Sequence, residues 1–323
     1  MLELLPIPMA SLLHSRCPSF PKQAFVFAFA AAVLMRPVLA GAELDLIMDD
    51  PSSLLRSHPE GLSRLPAAFA SSKATIASGV GGRAVPQISG APDAESQDAK
   101  VQILSEPSLG SKPFFRATLN GASPVKQVGL GIFPDKEASL QNLAKRENGQ
   151  VKIAGAIDFL IRGSSSSGSP KFQLTTKVAN LGVTVTTAPK DGVLVLKIYT
   201  SSKSLSVNSD KTGKRSAIEK RSEIRLDNDS IYHGALIFKT QADGSQTASL
   251  CIAPGPGPLD PAATAAAVID GFEILEDASS KEVDKIAINL GRDETSQQTL
   301  DIAAFRIFQS PLETLPAFEA KQL

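Results

Sequence analysis

From Val101 onward the chain is a succession of short apolar runs at strand spacing, and none of them extends into a long helical period. The runs are Val101–Leu104, Phe114–Leu119, Val128–Phe133, Ile153–Ile161, Val183–Thr187 and Val193–Tyr199, then Glu223–Leu226, Tyr232–Thr240, Thr247–Ile252, Phe272–Leu275, Lys285–Leu290 and Ile302–Phe308. Many short strands separated by turn residues cannot be laid out as βαβ units and predict an antiparallel sandwich. Two Asp-Gly pairs, Asp191-Gly192 and Asp243-Gly244, stand where tight hairpin turns need positive φ. Within 153–161 the alternation puts Ile157, Phe159 and Ile161 on one face, with Asp158 and Arg162 on the other. The one helical candidate here is Asp260–Val268, DPAATAAAV, with Pro261 following an Asp cap. Gly163–Pro170 and Asn208–Lys220 read as surface loops.

Before Val101 the pattern is different. Residues 24–35, AFVFAFAAAVLM, form an apolar run preceded by Lys22 and followed by small residues at 38–40. It is shorter than the roughly 20 residues a membrane span needs, and fits a secretory signal occupying 1–40. Residues 41–100 read as a poorly structured N-terminal extension or linker, with an edge strand near Ala74–Ile76. The main domain is expected over 101–315, and 316–323 is expected to be a tail. Export to the periplasm or the exterior follows, with no membrane span once the signal is removed.

Composition excludes several functions. Lys and Arg total 33, as do Asp and Glu, so the formal charge is zero. Losing the leader removes Arg16, Lys22, Arg36 and Glu3, leaving 30 basic residues (33 − 3) and 32 acidic (33 − 1). A near-neutral chain without a basic stripe is not built for nucleic acid. There is no Trp, and Tyr199 and Tyr232 are the only tyrosines, so flat platforms for sugars are scarce. Cys17 lies in the leader, which leaves Cys251 as a single thiol in a buried-looking run.

From about Val101 to Leu315 the order of these runs resembles the concanavalin A-like, laminin-G-type jelly roll of secreted bacterial proteins. The likeness covers about two-thirds of the chain and rests on three stretches. Ile231-Tyr232-His233-Gly234-Ala235-Leu236 is similar to the family's Trp-x-His strand, with Ile231 where the aromatic stands. Ser249–Pro254 looks like its partner. Ile302–Phe308 with Leu312 looks like the closing strand, although Ala303 and Ala304 replace the two acids that precede the final Arg. The resemblance implies a two-sheet jelly-roll sandwich and, in many members, a lectin-like or glucanase-like role.

A second resemblance is local. Arg221-Ser222-Glu223-Ile224-Arg225 is similar to the Arg-x-Glu-Leu-Arg strand of an alginate lyase family on the same fold. That implies Arg221, Glu223 and Arg225 facing an anionic sugar, with His233 and Tyr232 as the nominal proton-handling pair. The family's Gln-Ile-His and Tyr-Phe-Lys-x-Gly-x-Tyr strands are absent. On a strand Tyr232 and His233 point to opposite faces, so they do not serve one cleft together. A solvated edge strand is the favoured explanation of the charged run.

Other chemistry finds less support. Glycosidase action needs two carboxylates about 5 to 10 Å apart; Glu282 with Asp284, and Glu273 with Glu276 and Asp277, sit in turns. No Gly-x-Ser-x-Gly precedes a helix, and prolines spoil PGPGPLDP as a phosphate cradle. No cofactor is expected. Zinc has too few His and Cys, while calcium has acidic loops at Asp227-Asn228-Asp229 and at Asp45, Asp49 and Asp50.

The sequence thus favours a secreted, non-catalytic, lectin-like binding or structural module, with a glycan or a surface protein as ligand. The alternative is a polysaccharide lyase acting on uronate polymers. Arg221, Glu223, Arg225, Tyr232 and His233 are the candidate ligand-binding residues; enzymatic activity is left open, with its absence favoured.

Overall fold

Alternation of apolar and polar residues builds two antiparallel sheets that press their apolar faces together. The computed structural model describes residues 41–66, 69, 74–89, 98–106, 112–121, 125, 127–178, 181–199, 217–272, 274, 284–291, 296–310 and 312–318. The expected signal segment 1–40 and residues 319–323 of the expected tail lie outside the described residues. In chain order the strands begin with β1 (Leu44–Met48), β2 (Ala77–Val80), β3 (Gly82–Ser89), β4 (Ala99–Ser105), β5 (Pro113–Leu119) and β6 (Gln127–Pro134). They continue with β7 (Ala144–Glu147), β8 (Gln150–Ser165), β9 (Gln173–Val178), β10 (Leu181–Thr187), β11 (Val193–Tyr199) and β12 (Ala217–Arg225). The last are β13 (Ile231–Thr240), β14 (Gln246–Pro254), β15 (Ala265–Phe272), β16 (Ile286–Gly291) and β17 (Gln298–Phe308).

Sheet A has ten strands along the path β15-β14-β13-β8-β17-β1-β2, with β4, β5 and β7 attached to its flanks. Sheet B has seven, in the order β12-β11-β10-β9-β16-β6-β3. Gly41–Leu323 form one compact unit, and the architecture is the antiparallel sandwich that the run spacing predicts, in the two-sheet jelly-roll form that the resemblance implies. One continuous core lies between the sheets. Sheet A supplies Ile157, Phe159, Ile161, Leu236, Phe238 and Phe305, and sheet B supplies Leu130, Ile132, Leu174, Val185, Leu196 and Ile288. Each such side chain, removed from water, stabilises the fold by about 1.5–3 kcal/mol.

Residues 41–100, read from sequence as an extension or linker, carry β1, β2, β3 and the start of β4. β1 lies between β17 and β2, pairing Leu44 with Ile307 and Leu46 with Phe305. Its alternating Leu44, Leu46 and Met48 are fully buried, which fixes its register. The long edge of β17 is shared: β5 pairs with Gln298–Ile302 and β1 with Ala304–Ile307. A bulge in the β8 ladder falls at this handover, between Ile302 and Ala304.

Three local expectations are revised. The predicted helix over Asp260–Val268 is a single turn, Pro261–Thr264, capped by Asp260; the alanines that follow enter β15 and pair with β14. An available strand edge outweighs the helix preference of alanine. Gly163, Ser164 and Ser165 belong to β8 and pair with β17, so the serine-rich loop begins only at Ser166. At the tip of the β13–β14 hairpin, only Gly244 takes positive φ, at 87°, and the loop spans 241–245 rather than a two-residue turn.

Candidate functional site

The five residues singled out by sequence fall into two separate places. Arg221, Glu223 and Arg225 lie exposed on β12, the edge strand of sheet B, on the face turned away from the core. Arg221 is tied to Asp191 of the neighbouring turn. Tyr232 and His233 lie on β13 of sheet A and are both buried, at 5% and 0% exposure. The structure therefore does not gather them into one cleft.

The two β13 side chains do point to opposite faces. Tyr232 enters the intersheet core, and its hydroxyl accepts from Asp227 N at 2.9 Å and donates to the Asp227 carboxylate at 3.2 Å. Burial holds the phenol above its usual range, and the Asp227 charge adds to that. His233 leaves the core side but stays enclosed, because the chain around Gly257 and the segment 316–318 cover it. Its Nδ1 donates to Gly257 O at 2.6 Å, and Nε2 lies 2.6 Å from Asp158 Oδ1. With both nitrogens engaged, the ring has none left for a ligand.

Asp158 is the hub of this outer network. Arg306 Nε donates to Asp158 Oδ2 at 2.8 Å, while the other guanidinium nitrogens bind the carbonyls of Pro316 and Ala317 at 2.6 and 3.2 Å. The guanidinium lies 3.7 Å from the Phe318 ring centroid, and Phe318 meets His233 edge-on at 4.8 Å. The arrangement straps the C-terminal segment over a small second core of Ala156, Ala235, Cys251, Leu259, Phe308 and Leu315. Further along the same face, Asp301 binds Arg116 at 2.7 Å and Arg162 at 2.8 Å, and Glu106 binds Arg162 at 2.8 Å. The Asp301 hydrogen bond holds the Arg116 guanidinium above its ordinary value. These clusters are matched charge for charge and serve the architecture.

The acidic candidates are similarly spent. Asp284 accepts from Ser139, Leu140 N and Gln141, fixing the 3-10 turn Leu140–Leu143. Asp50 accepts from Ser52 and from the amides of Leu55 and Arg56, and Asp49 pairs with Arg56. Glu273, Glu276, Asp277 and Glu282 lie outside the described residues. Among the described residues no group of three or more His, Cys, Asp or Glu converges as a metal site, and no helix is long and apolar enough to cross a membrane.

What remains partly open is the outer face of sheet B, where Gln87, Gln173 and Thr186 are half-buried and Arg221 is exposed, while Gly129, Asn289 and Val195 are buried. Strand registers align a transverse row on it: Gln87 opposite Gly129, Gly129 opposite Asn289, and Asn289 opposite Gln173. The row runs on through Thr186 and Val195 to Arg221. Seven strands at about 4.8 Å spacing make this row roughly 29 Å long. Its floor is glycine. A Cβ at Gly129 would stand 2.5 Å from Asn289 Oδ1, and one at Gly131 would stand 2.4 Å from Gln87 Nε2. The amides therefore lie where side chains of β6 would otherwise project.

At the β3 end the row opens into a pocket of about 600 Å³. Leu65, Phe69 and Val85 form an apolar wall, and Gln87, Gln127 and Asn289 supply amides. Arg83 and Lys285 both lie over the ring of Phe133, at 5.1 and 5.8 Å from its centroid. Among the described residues the lining contains no carboxylate. Sequence reading passed over this site because 41–100 read as an extension or linker. The signal that could have found it is Val128-Gly129-Leu130-Gly131-Ile132, a strand whose outward positions are glycine.

No family model matches the chain, and no curated protein matches it. Among solved structures it is similar to the alginate lyase of Aplysia kurodai, at 9% identity over 64% of this chain and 86% of that one, with a TM-score of 0.42. It is similar to a legume lectin-like domain from Entamoeba histolytica, at 7% identity over 65% and 88%, with a TM-score of 0.37. A galectin of Caenorhabditis elegans aligns at 10% identity over 48% and 81%, with a TM-score of 0.27. The description of the fold above rests on the strand pairing of this chain, not on these matches.

Proposed function

We propose that the chain is an exported, non-catalytic, lectin-like module that holds a glycan across the outer face of sheet B. The observation that carries this reading is the amide row Gln87, Asn289 and Gln173 over a glycine floor, opening into the pocket at β3. Amides offer donors and acceptors on one group, which suits the paired hydroxyls of a sugar, and the glycines let a ring approach the backbone. The leader at 1–40 would route the chain to the periplasm or beyond.

Calorimetric titration of the chain against a glycan panel tests this reading. Binding of at least one oligosaccharide is expected, weakened about tenfold or more in a Gln87→Ala, Asn289→Ala double variant. Silence across the panel would remove the glycan reading and leave a protein-binding or structural role. The uronate-lyase alternative keeps Arg221, Glu223 and Arg225 on the same sheet B face. It would need a proton-handling group other than His233, which is enclosed on sheet A.

A further inference from the structure

We infer that the pocket at the β3 edge of sheet B is an acid-recognition subsite, built to take a carboxylate or sulfate carried on a sugar ring. This rests on the reading of sheet B as a glycan surface and adds to it the charge of the ligand.

The first argument is a contrast among cations. Arg56, Arg116, Arg162, Arg221 and Arg306 all hold a carboxylate within the chain. Among the described residues Arg83 and Lys285 do not; Arg64 and Arg225 hold none either, but Arg83 and Lys285 differ from those two in lying over one aromatic ring in the lining of one pocket. A ring face steadies a cation without neutralising it, so both charges remain available. The second argument is Arg83 Nε, which is buried and has no hydrogen-bond partner among the described residues. An enclosed donor left unpaired is unfavourable, and a ligand oxygen at that point relieves it. Thirdly, no acid among the described residues of the lining opposes an anion. The neighbouring amides Gln87 and Asn289 then meet the hydroxyls of the same ring, which distinguishes an acidic sugar from a bare anion.

The test is titration of the full chain with three oligosaccharides of matched length: an oligouronate, a sulfated oligosaccharide and an uncharged β-linked glucan, with free acetate and sulfate as controls. An acidic sugar should bind about tenfold or more tighter than the uncharged one, with affinity falling as salt is added. Whether the oligouronate or the sulfated sugar binds more tightly identifies the acid. Arg83→Gln and Lys285→Gln should each weaken acidic-sugar binding about tenfold and uncharged-sugar binding by much less, so that the preference for the acidic sugar narrows. Lys285 is exposed, so its variant keeps the test decisive should Arg83→Gln fail to fold. Equal affinity for charged and uncharged sugars would overturn the inference while leaving the glycan reading intact. An acid preference untouched by both variants but lost in Arg221→Gln would overturn its location. Free acetate or sulfate binding as tightly as the sugars would overturn the sugar part. Silence toward every sugar would overturn both readings together.

Discussion

Asp158 and Arg306 stand directly opposite one another on β8 and β17, and the guanidinium reaches the carboxylate at 2.5 Å in a place where Asp158 has no solvent exposure. The same carboxylate faces His233, and the same guanidinium holds the carbonyls of 316 and 317. One enclosed ion pair thus joins three strands of sheet A to the segment that covers them.

Removing one partner of such a pair leaves the other charged and enclosed, which costs about 3–5 kcal/mol. Asp158→Ala should therefore lower unfolding free energy by about that amount in urea titrations. A change within ~0.5 kcal/mol, the range of surface substitutions, would show that the network is energetically idle.

Phe318 offers a gentler cut. It carries the Arg306 guanidinium on its ring and packs against His233. Phe318→Ala should loosen the strap by about 1–2 kcal/mol while sheet pairing persists. Limited proteolysis reads this directly, as faster cleavage beyond Phe308 with the remaining body intact.

Cys251 has 0% exposure, donates to Pro261 O at 3.7 Å, and burial pushes its thiol up to about 12 from 9.0. Maleimides and other thiol reagents should leave the native chain unlabelled at pH 8 and label it once unfolded. The folded thiol keeps its proton where the unfolded one has lost it. Stability should therefore be flat with pH below about 9 and fall between about 9 and about 12, by up to roughly 1.4 kcal/mol per pH unit from this group.

A uronate-lyase assay gives a further check. Arg225 is exposed on sheet B, and His233 is enclosed on the outer side of sheet A. Incubation with alginate or pectate should produce no rise in ultraviolet absorbance from an unsaturated product. A rise abolished by Arg225→Ala would restore the lyase reading.

Strand identity was legible wherever apolar runs alternated, so β5, β6, β8, β11, β13 and β17 stand where the periodicity predicts. The misses share a cause. β1 is only LDLIM, set among acids and prolines, and its status as a strand depends on finding the edge of β17 far along the chain. β7 was missed despite a local signal: Asn148-Gly149 takes positive φ at both residues, 53° and 81°, the geometry of a two-residue hairpin turn. The alanines of β15 follow partner availability rather than propensity.

The site was harder to see. Arg221, Glu223 and Arg225 attract attention because they alternate within one short run, as local motifs do. Arg83, Phe133 and Lys285 are distant in sequence and meet only because β3, β6 and β16 are neighbours in sheet B. His233 looked available because a strand of mixed polarity leaves its outer face undecided. Only the cover from Gly257 and Phe318 closes it.

The pairing of Leu44 with Ile307 sets the order in which this molecule can be made. β1 is synthesised before the other described strands, yet one of its two neighbours in the sheet, β17, is the last of them. Until β17 arrives, both β1 and β8 present unsatisfied hydrogen-bonding edges, and the middle of sheet A does not exist. Closure over so long a loop makes folding slow. A chain released short of β17 would be left as two sticky half-sheets rather than a smaller domain.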